Sequence, residues 1–265
     1  MSKSLLKAIN ILDCFAEKQE MSINDLMEAT NMSKTTVFRL ATSLEEGGLL
    51  VKEKRSSHDV IFRLSLKFLT YGKYVSNRLQ YNEVALPYMK QLNEEIDELV
   101  HLTVAEGNEA VYVETFYSSK PLRLVVTVGA RAPLYAGSAP KLLLAGMKDK
   151  DLENYLNNVE LEKITANTIS SKEKLREEIE KIRAAGYSIS ESENFDHTKG
   201  FSYPIYDYNG NIVAALGVSV PEKDYPEERQ EIILSKLKET VVKIWEELGF
   251  NKENNEQGLI KNINS

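Results

Sequence analysis

Residues 21–63 read MSINDLMEATNMSKTTVFRLATSLEEGGLLVKEKRSSHDVIFR, and this stretch decides how the first part of the chain folds. Ser22 followed by Asp25 is a start signal of the capping-box type, in which side chains close the free donors of a first helical turn. Asn31-Met32 interrupts that helix, and Ser33 opens a second over Lys34-Thr35-Thr36-Val37-Phe38-Arg39-Leu40. Val37, Leu40 and Leu44 recur at helical spacing and are expected to face inward. Lys34, Thr35, Thr36, Phe38, Arg39 and Thr42 are left facing outward. Short hydroxyls flanked by cations suit a DNA groove: arginine forks to guanine, threonine reaches bases or phosphates, and lysine supplies charge. Gly47-Gly48 ends the helix, and Leu49-Leu50-Val51 and Val60-Ile61-Phe62 read as strands around the polar loop 52–59. Helix-turn-helix plus hairpin is the winged form of the motif. The expected DNA-facing set is Ser22, Ser33, Lys34, Thr35, Thr36, Phe38, Arg39 and Thr42, joined by Arg55 at the wing tip. The cations of that tip suit phosphates or a minor groove, and His58 reads as a surface residue.

A net charge of −7 sits badly with DNA until it is divided along the chain. Residues 1–76 carry 11 lysines and arginines against nine acids, which is +2, and the remainder carries 22 against 31, which is −9. The acidity therefore belongs to a different part of the molecule. A mildly basic DNA module predicts modest affinity per copy and a need to pair copies. A chain of 265 residues has room for two domains, and 42% hydrophobic with 28% charged content is that of an ordinary globular protein.

Cys14 is the only cysteine, which excludes an internal disulfide and a cysteine-cluster zinc site. Its neighbours Leu5, Ala8, Ile9, Leu12 and Phe15 mark it as a buried structural thiol on an amphipathic helix over 4–16. No apolar run reaches membrane-spanning length, and the start Met1-Ser2-Lys3-Ser4 lacks a signal-peptide core. A cytoplasmic protein with no membrane partner is expected.

Beyond the wing, residues 66–75 read as a helix, and 66–78 is the expected linker between a DNA-binding domain at 1–65 and a second domain at 79–250. This linker helix is also able to pair two subunits. A helix from Glu83 to Asp97 keeps Pro87 in its first turn, where proline is tolerated. Strand-like alternation follows at 100–104, 110–114 and 122–128 (Leu122, Leu124, Val126, Val128), then an apolar helix at 142–145. Ser170 and Glu173 form a capping box for a helix at 172–185 that Gly186 terminates. Strands are expected at 187–190, 201–206 and 212–220, the last two joined through Asn209-Gly210. Pro226 fits the first turn of a closing helix, and the Asn-rich stretch 251–265 reads as a disordered tail. The second domain is therefore an α+β sheet with helices on its faces.

An enzyme is the competing class. Serine, histidine and aspartate are present, but there is no Gly-x-Ser-x-Gly elbow, and Gly137-Ser138-Ala139-Pro140 is a poor substitute. No Walker loop, dinucleotide fingerprint or metal-binding helix motif occurs. Three histidines without an i,i+4 pair make a metal site built on Asp196, His197 and His101 a weak reading. We expect no catalytic residues, metal or cofactor. The alternative is a small-molecule-binding or hydrolytic enzyme on the C-terminal domain, with a vestigial DNA-binding head.

At this point the sequence resembles the IclR family of bacterial transcriptional regulators along nearly its whole length. The likeness starts at Ala8-Ile9-x-Ile11-Leu12, runs through Met32–Leu40, and continues with Leu44-Glu45-Glu46-Gly47-Gly48. In the second domain it is carried by Val100-His101-Leu102, Gly129-x-Arg131-x-Pro133-Leu134-Tyr135-Ala136, Lys141-x-Leu143-Leu144-Ala145 and Ala185-Gly186-Tyr187. Tyr203-Pro204-Ile205-Tyr206-Asp207 and Ala214-Ala215-Leu216-Gly217-Val218-Ser219 complete it. The resemblance implies a winged helix-turn-helix joined to a GAF-like effector domain with an antiparallel sheet. It also implies homodimers or tetramers on a palindromic double-stranded DNA operator, most commonly as repressors of catabolic genes.

The resemblance further implies a small organic acid as effector, and Ser33-Lys34-x-Thr36 with Pro133-Leu134-Tyr135 look nearest to the sugar-acid regulators, such as those for 2-keto-3-deoxygluconate. Its pocket would lie at the start of the helix after Tyr135, where free backbone N–H groups favour a carboxylate. Ser138 and Ala139 match that position, Gly217 and Ser219 the strand positions, Ser190 and Gly200 the loop side, and Leu124 and Val126 the apolar wall. Departures are Pro140, which has no N–H, Tyr135 in place of a commoner histidine, and the side-chain-free Gly200 and Gly217. Fewer donors and more room predict a ligand larger than a two- or three-carbon keto acid. Arg131 either neutralises the acid or serves its loop, and Phe195 either covers the pocket or packs.

Overall fold

The computed structural model describes residues 3–16, 18–54, 60–76, 80–222 and 226–250, leaving aside the side chains of 73, 75, 76 and 80. The chain divides into two compact units, Met1–Leu79 and Gln80–Ser265. Arg55, His58 and the tail at 251–265 lie outside the described residues.

The first unit holds α1 (Lys3–Asp13), a 3₁₀ turn (Cys14–Ala16), β1 (Met21–Ser22), α2 (Ile23–Thr30), α3 (Lys34–Glu46), β2 (Leu50–Lys54), β3 (Val60–Leu64) and α4 (Lys67–Ser76). The three strands pair antiparallel in the order β1-β3-β2. Ser22 caps α2 as its sequence requires: its hydroxyl accepts from the Asp25 N–H, and the Asp25 carboxylate accepts from the Ser22 N–H at 2.7 Å. Asn31 then takes a left-handed φ of 52°, which ends α2 and turns the chain into α3. Ile11, Phe15, Met21, Leu26, Val37, Leu40, Ala41, Leu44, Leu50 and Phe62 form the core of this unit.

Three expectations change here. Leu5 and Ile9 are exposed, because α1 turns Ile11 inward and the 3₁₀ turn after it buries Phe15. Cys14 is only half-buried, with its Sγ 3.1 Å from the Asn10 carbonyl. Thr42 does not face solvent: its hydroxyl is buried and lacks a hydrogen-bond partner among the described residues.

The second unit runs α5 (Gln80–Ile96), β4 (Leu99–Glu106), β5 (Glu109–Phe116), β6 (Arg131–Pro133), α6 (Ser138–Ala145), α7 (Asp149–Asn158), α8 (Lys172–Ala185), β7 (Ser188–Glu191), β8 (Thr198–Tyr206), β9 (Ile212–Pro221) and α9 (Glu227–Glu247). Six strands form one antiparallel sheet in the order β6-β5-β4-β9-β8-β7. One face carries Val100, Leu102, Phe201, Leu216, Val218 and Val220, packed on Met89 and Leu92 of α5 and on Ile233, Leu237, Val241 and Ile244 of α9. The other face meets α6, and Ala215 there joins the Leu142, Leu144, Leu175 and Ile179 cluster of α6 and α8. An α+β fold with helices on both faces of an antiparallel sheet is the result.

The segment 122–128 is not a strand, although its alternation is real. It finds no partner strand, Leu122 is 82% exposed, and the edge position beside β5 goes to Arg131–Pro133. Pro87 sits well inside α5 and not in its first turn, because packing of Tyr81, Val84 and Ala85 on the sheet starts the helix earlier. Ser171 caps α8 in place of Ser170, accepting from the Lys174 N–H and bonding Glu173 at 2.7 Å.

The capping box gives a pH test. Hydrogen bonds from Lys18 and then from Ser22 hold the Asp25 carboxyl down at about 2, against an ordinary 3.8. A depressed acid stabilises the fold above its unfolded pKa and loses that contribution as pH falls through its folded one. We expect Asp25→Asn to weaken α2 by about 1 kcal/mol at neutral pH. Amide hydrogen exchange at Leu26 and Met27 should show the gap, and it should shrink between pH 4 and pH 2.

Candidate functional site

The outward face of α3 is built as the spacing demands. Val37, Leu40, Ala41 and Leu44 are buried, while Ser33, Lys34, Thr35, Phe38 and Arg39 are exposed and Thr36 is half-exposed. The Ser33 hydroxyl shares hydrogen bonds with Thr36 at 2.9 Å and Thr35 at 3.4 Å, so three hydroxyls gather at the helix start. Helix N-termini of this kind favour phosphate. Lys67 donates to the Gly47 carbonyl at 2.8 Å and closes the other end. Ser22 has its hydroxyl engaged within the α2 cap, so its role is structural first.

In the second unit the sheet register brings together residues far apart in sequence. Antiparallel partners point to one face. Leu99–Ser219–Gly200–Ser190 form one row across β4, β9, β8 and β7, and His101–Gly217–Ser202–Ser188 form the next. These rows lie under the N-terminus of α6, because the Ser138 and Ser202 hydroxyls are hydrogen-bonded at 2.9 Å. Of the eight expected effector residues, Ser138, Ser190, Gly200, Gly217 and Ser219 share this face, and Ala139 follows Ser138 in the same first turn. Leu124 and Val126 are half-buried on the segment that fails to form a strand.

The two glycines correct the expectation of a roomier pocket. A Cβ at Gly217 would stand 2.2 Å from Cε1 of His101, and one at Gly200 would stand 2.7 Å from Ser138 Oγ and 2.8 Å from Ser190 Oγ. The missing side chains have been replaced by neighbours, so neither glycine leaves free volume or a shortage of donors. His101 and Ser202 were absent from the expected set. The register that gathers them depends on strands that no local pattern pairs.

His101 is 3% exposed, its Nδ1 lies 3.1 Å from the Thr103 hydroxyl, and its Nε2 lies 3.2 Å from that of Ser219. Burial pushes its pKa down to about 4, which keeps the ring neutral at physiological pH. Among the described residues no three of His, Cys, Asp and Glu gather into a metal-binding group.

A buried ion cluster holds α6 in place. Lys141 is 1% exposed and donates to Glu193 Oε1 at 2.6 Å, to Glu178 Oε1 at 2.7 Å and to the Ile189 carbonyl at 3.1 Å. Glu193 also accepts from the Gly137 N–H at 3.0 Å, so a carboxylate of the protein already lies beside the α6 start. Burial raises the Glu193 pKa, with Lys141 and the Gly137 N–H opposing. Thr168 donates to the Glu193 carbonyl at 2.7 Å and anchors that loop. Arg131 is paired with Glu106 and Glu109 at the β4–β5 turn, which assigns it to holding β6 against that hairpin and not to an acid ligand. Phe195 is exposed, so it does not pack. The Tyr135 hydroxyl exchanges hydrogen bonds with the backbone of Glu162. A cleft of about 800 Å³ opens elsewhere in this unit, lined by Tyr187, Tyr203, Tyr206, Trp245 and Phe250 and touching none of the serine rows.

A winged unit with an outward reader helix, joined in one chain to a polar-floored α+β unit, is the organisation of a DNA-binding transcriptional regulator. The helix-turn-helix model of the IclR family matches residues 4–54, and the bacterial transcriptional regulator IclR C-terminal model matches residues 73–245. The transcriptional regulator KipR of Bacillus subtilis is 32% identical over 94% of this chain and 98% of its own. KdgR of Escherichia coli is 28% identical over 93% of both. The crystal structure of Thermotoga maritima IclR superposes with a TM-score of 0.79 at 31% identity, covering 93% of this chain and 99% of that one. The chain belongs to the IclR family.

Removing Lys141 leaves the buried Glu193 and the half-buried Glu178 carboxylates without their shared cation. We expect Lys141→Met to lower the stability of the second unit by about 3–5 kcal/mol, and Lys141→Met with Glu193→Gln to recover part of the loss. Trp245, the only tryptophan, reports this unit alone in urea titrations followed by fluorescence.

Proposed function

We propose that this regulator represses a catabolic operon and is controlled by a small organic acid, with a sugar acid such as 2-keto-3-deoxygluconate as the leading candidate. The observation that carries this reading is the hydroxyl-lined sheet face closed by the first turn of α6. Backbone N–H groups of a first turn lack partners within their helix and favour a carboxylate. Ser138 and Ala139 supply those amides, and Ser190, Ser202 and Ser219 offer hydroxyls suited to a polyhydroxylated chain. Ser138, Ser190 and Ser202 are buried, so an acid enters by replacing existing hydrogen bonds, with Glu193 as the resident carboxylate it must accommodate. Leu124 and Val126 remain the proposed apolar wall.

On the DNA side, Lys34, Thr35, Thr36, Phe38 and Arg39 read a palindromic operator, assisted by Ser33 and by Arg55 of the wing. Two copies are required by the small positive charge of residues 1–76. Exposed Leu5, Leu6 and Ile9 of α1, and Leu69 and Tyr74 of α4, provide apolar surface for pairing. We assign residues 66–78 as the link between heads and sensors in a homodimer or tetramer, working in the cytoplasm. The ligand acts by preferring one arrangement of the assembly and so shifting the spacing of its heads.

Three measurements test this. A thermal-shift screen of organic and sugar acids should give stabilisation without turnover, and hydrolysis of a hit would favour an enzyme. Calorimetry that finds glyoxylate or pyruvate tight and six-carbon sugar acids inert would overturn the sugar-acid assignment. In gel shifts on the chain's own upstream region, Arg39→Ala should abolish specific binding and leave effector binding unchanged. Loss of both would mean that the substitution disrupts the fold and that Arg39 is structural and not a reader of DNA.

A further inference from the structure

We propose that His101 is a specificity-determining residue of the effector site, with its imidazole Nε2 taking a hydroxyl of the ligand chain while the α6 N-terminus takes the carboxylate. The inference rests on the effector reading above and goes beyond it by assigning a residue and a ligand group. Its basis is steric and geometric. The imidazole occupies the space a side chain at position 217 would need, so a ligand approaching that strand meets the ring and not Gly217.

The ring is fixed on all sides but one. Thr103, itself fully buried, holds Nδ1, and Tyr112 packs edge-on with ring centroids 5.1 Å apart. On the remaining side Nε2 meets Ser219, whose side chain is half-exposed and whose hydroxyl can exchange one partner for another. A neutral imidazole offers one donor and one acceptor nitrogen, which suits a hydroxyl partner and provides no positive charge for a carboxylate.

The ring lies over Gly217, which pairs across β9 and β8 with Ser202, and Ser202 is bonded to Ser138 at the α6 start. The two strands are roughly 5 Å apart, so the ring and the α6 start face the same part of the sheet. Further along the same row Ser188 is 1% exposed, and its hydroxyl has no partner among the described residues. The floor therefore retains hydrogen-bonding capacity that its own packing has not consumed.

The test uses the full chain with ¹⁵N-labelled histidine, titrated with 2-keto-3-deoxygluconate and, separately, with pyruvate. His101→Asn identifies the His101 signals among those of the three histidines. The hydroxylated acid should move the His101 Nε2 resonance and pyruvate should not. His101→Asn should weaken the hydroxylated acid about tenfold or more and leave pyruvate unchanged. Gly217→Ala should weaken the same acid by expelling the ring. In the double variant Gly217→Ala/His101→Asn, the thermal midpoint should recover without the affinity. Should the acid bind, lose affinity in Ser138→Ala, and yet leave the His101 resonance and the His101→Asn affinity as in the unsubstituted protein, the effector site stands and the role of His101 is overturned. No binding of either acid removes both.

Discussion

The Lys141 ammonium is the point on which the effector unit turns. It lies inside α6, yet its three partners belong to α8, to β7 and to the loop that follows β7. A charge so deeply buried is tolerable only when several acceptors surround it. That requirement fixes α6, α8 and the 192–197 loop to each other, and so fixes the roof over the serine rows. The Glu193 carboxylate completes the arrangement by reaching from Lys141 to the Gly137 N–H. The same group thus neutralises a buried cation and marks where an anion is welcome.

The floor follows from a division of labour between the faces of one sheet. Alternate residues of β4, β8 and β9 are large and apolar toward α5 and α9, where most of the hydrophobic stabilisation of this unit arises. The intervening residues, Leu99 excepted, include His101, Thr103, Gly200, Ser202, Gly217 and Ser219, which are small or polar. Ser138 with Ser202 and His101 with Thr103 and Ser219 pair their polar groups, while the Ser188 hydroxyl has no partner among the described residues.

Much of the fold was legible because it depends on local spacing. The capping box at Ser22, the break at Asn31 and the buried stripe of Val37, Leu40 and Leu44 are all decided within one or two turns. Thr42 misled because it borders that stripe, where helical periodicity cannot tell a buried hydroxyl from an exposed one. Residues 122–128 misled for another reason. Alternation reports how a strand would use its two faces, not whether a neighbour exists to pair with it. At the proposed effector site, the family likeness selected residues that share one sheet face but gave the glycines a meaning that the packing does not support. His101 and Ser219 are 118 residues apart, and only the β4–β9 register shows that one side chain fills the gap left beside another strand's glycine.

That interlock restricts how such a site can change over generations. A side chain at 217 and an imidazole at 101 compete for one volume, so neither position is free to vary while the other stays as it is. A substitution at 217 that arises alone collides with the ring, and one at 101 that arises alone opens a hole over bare backbone. Change at this corner proceeds by paired exchanges across two strands, with an unfavourable intermediate between them. Gly200, wedged between two serine hydroxyls, places the same condition on the neighbouring row.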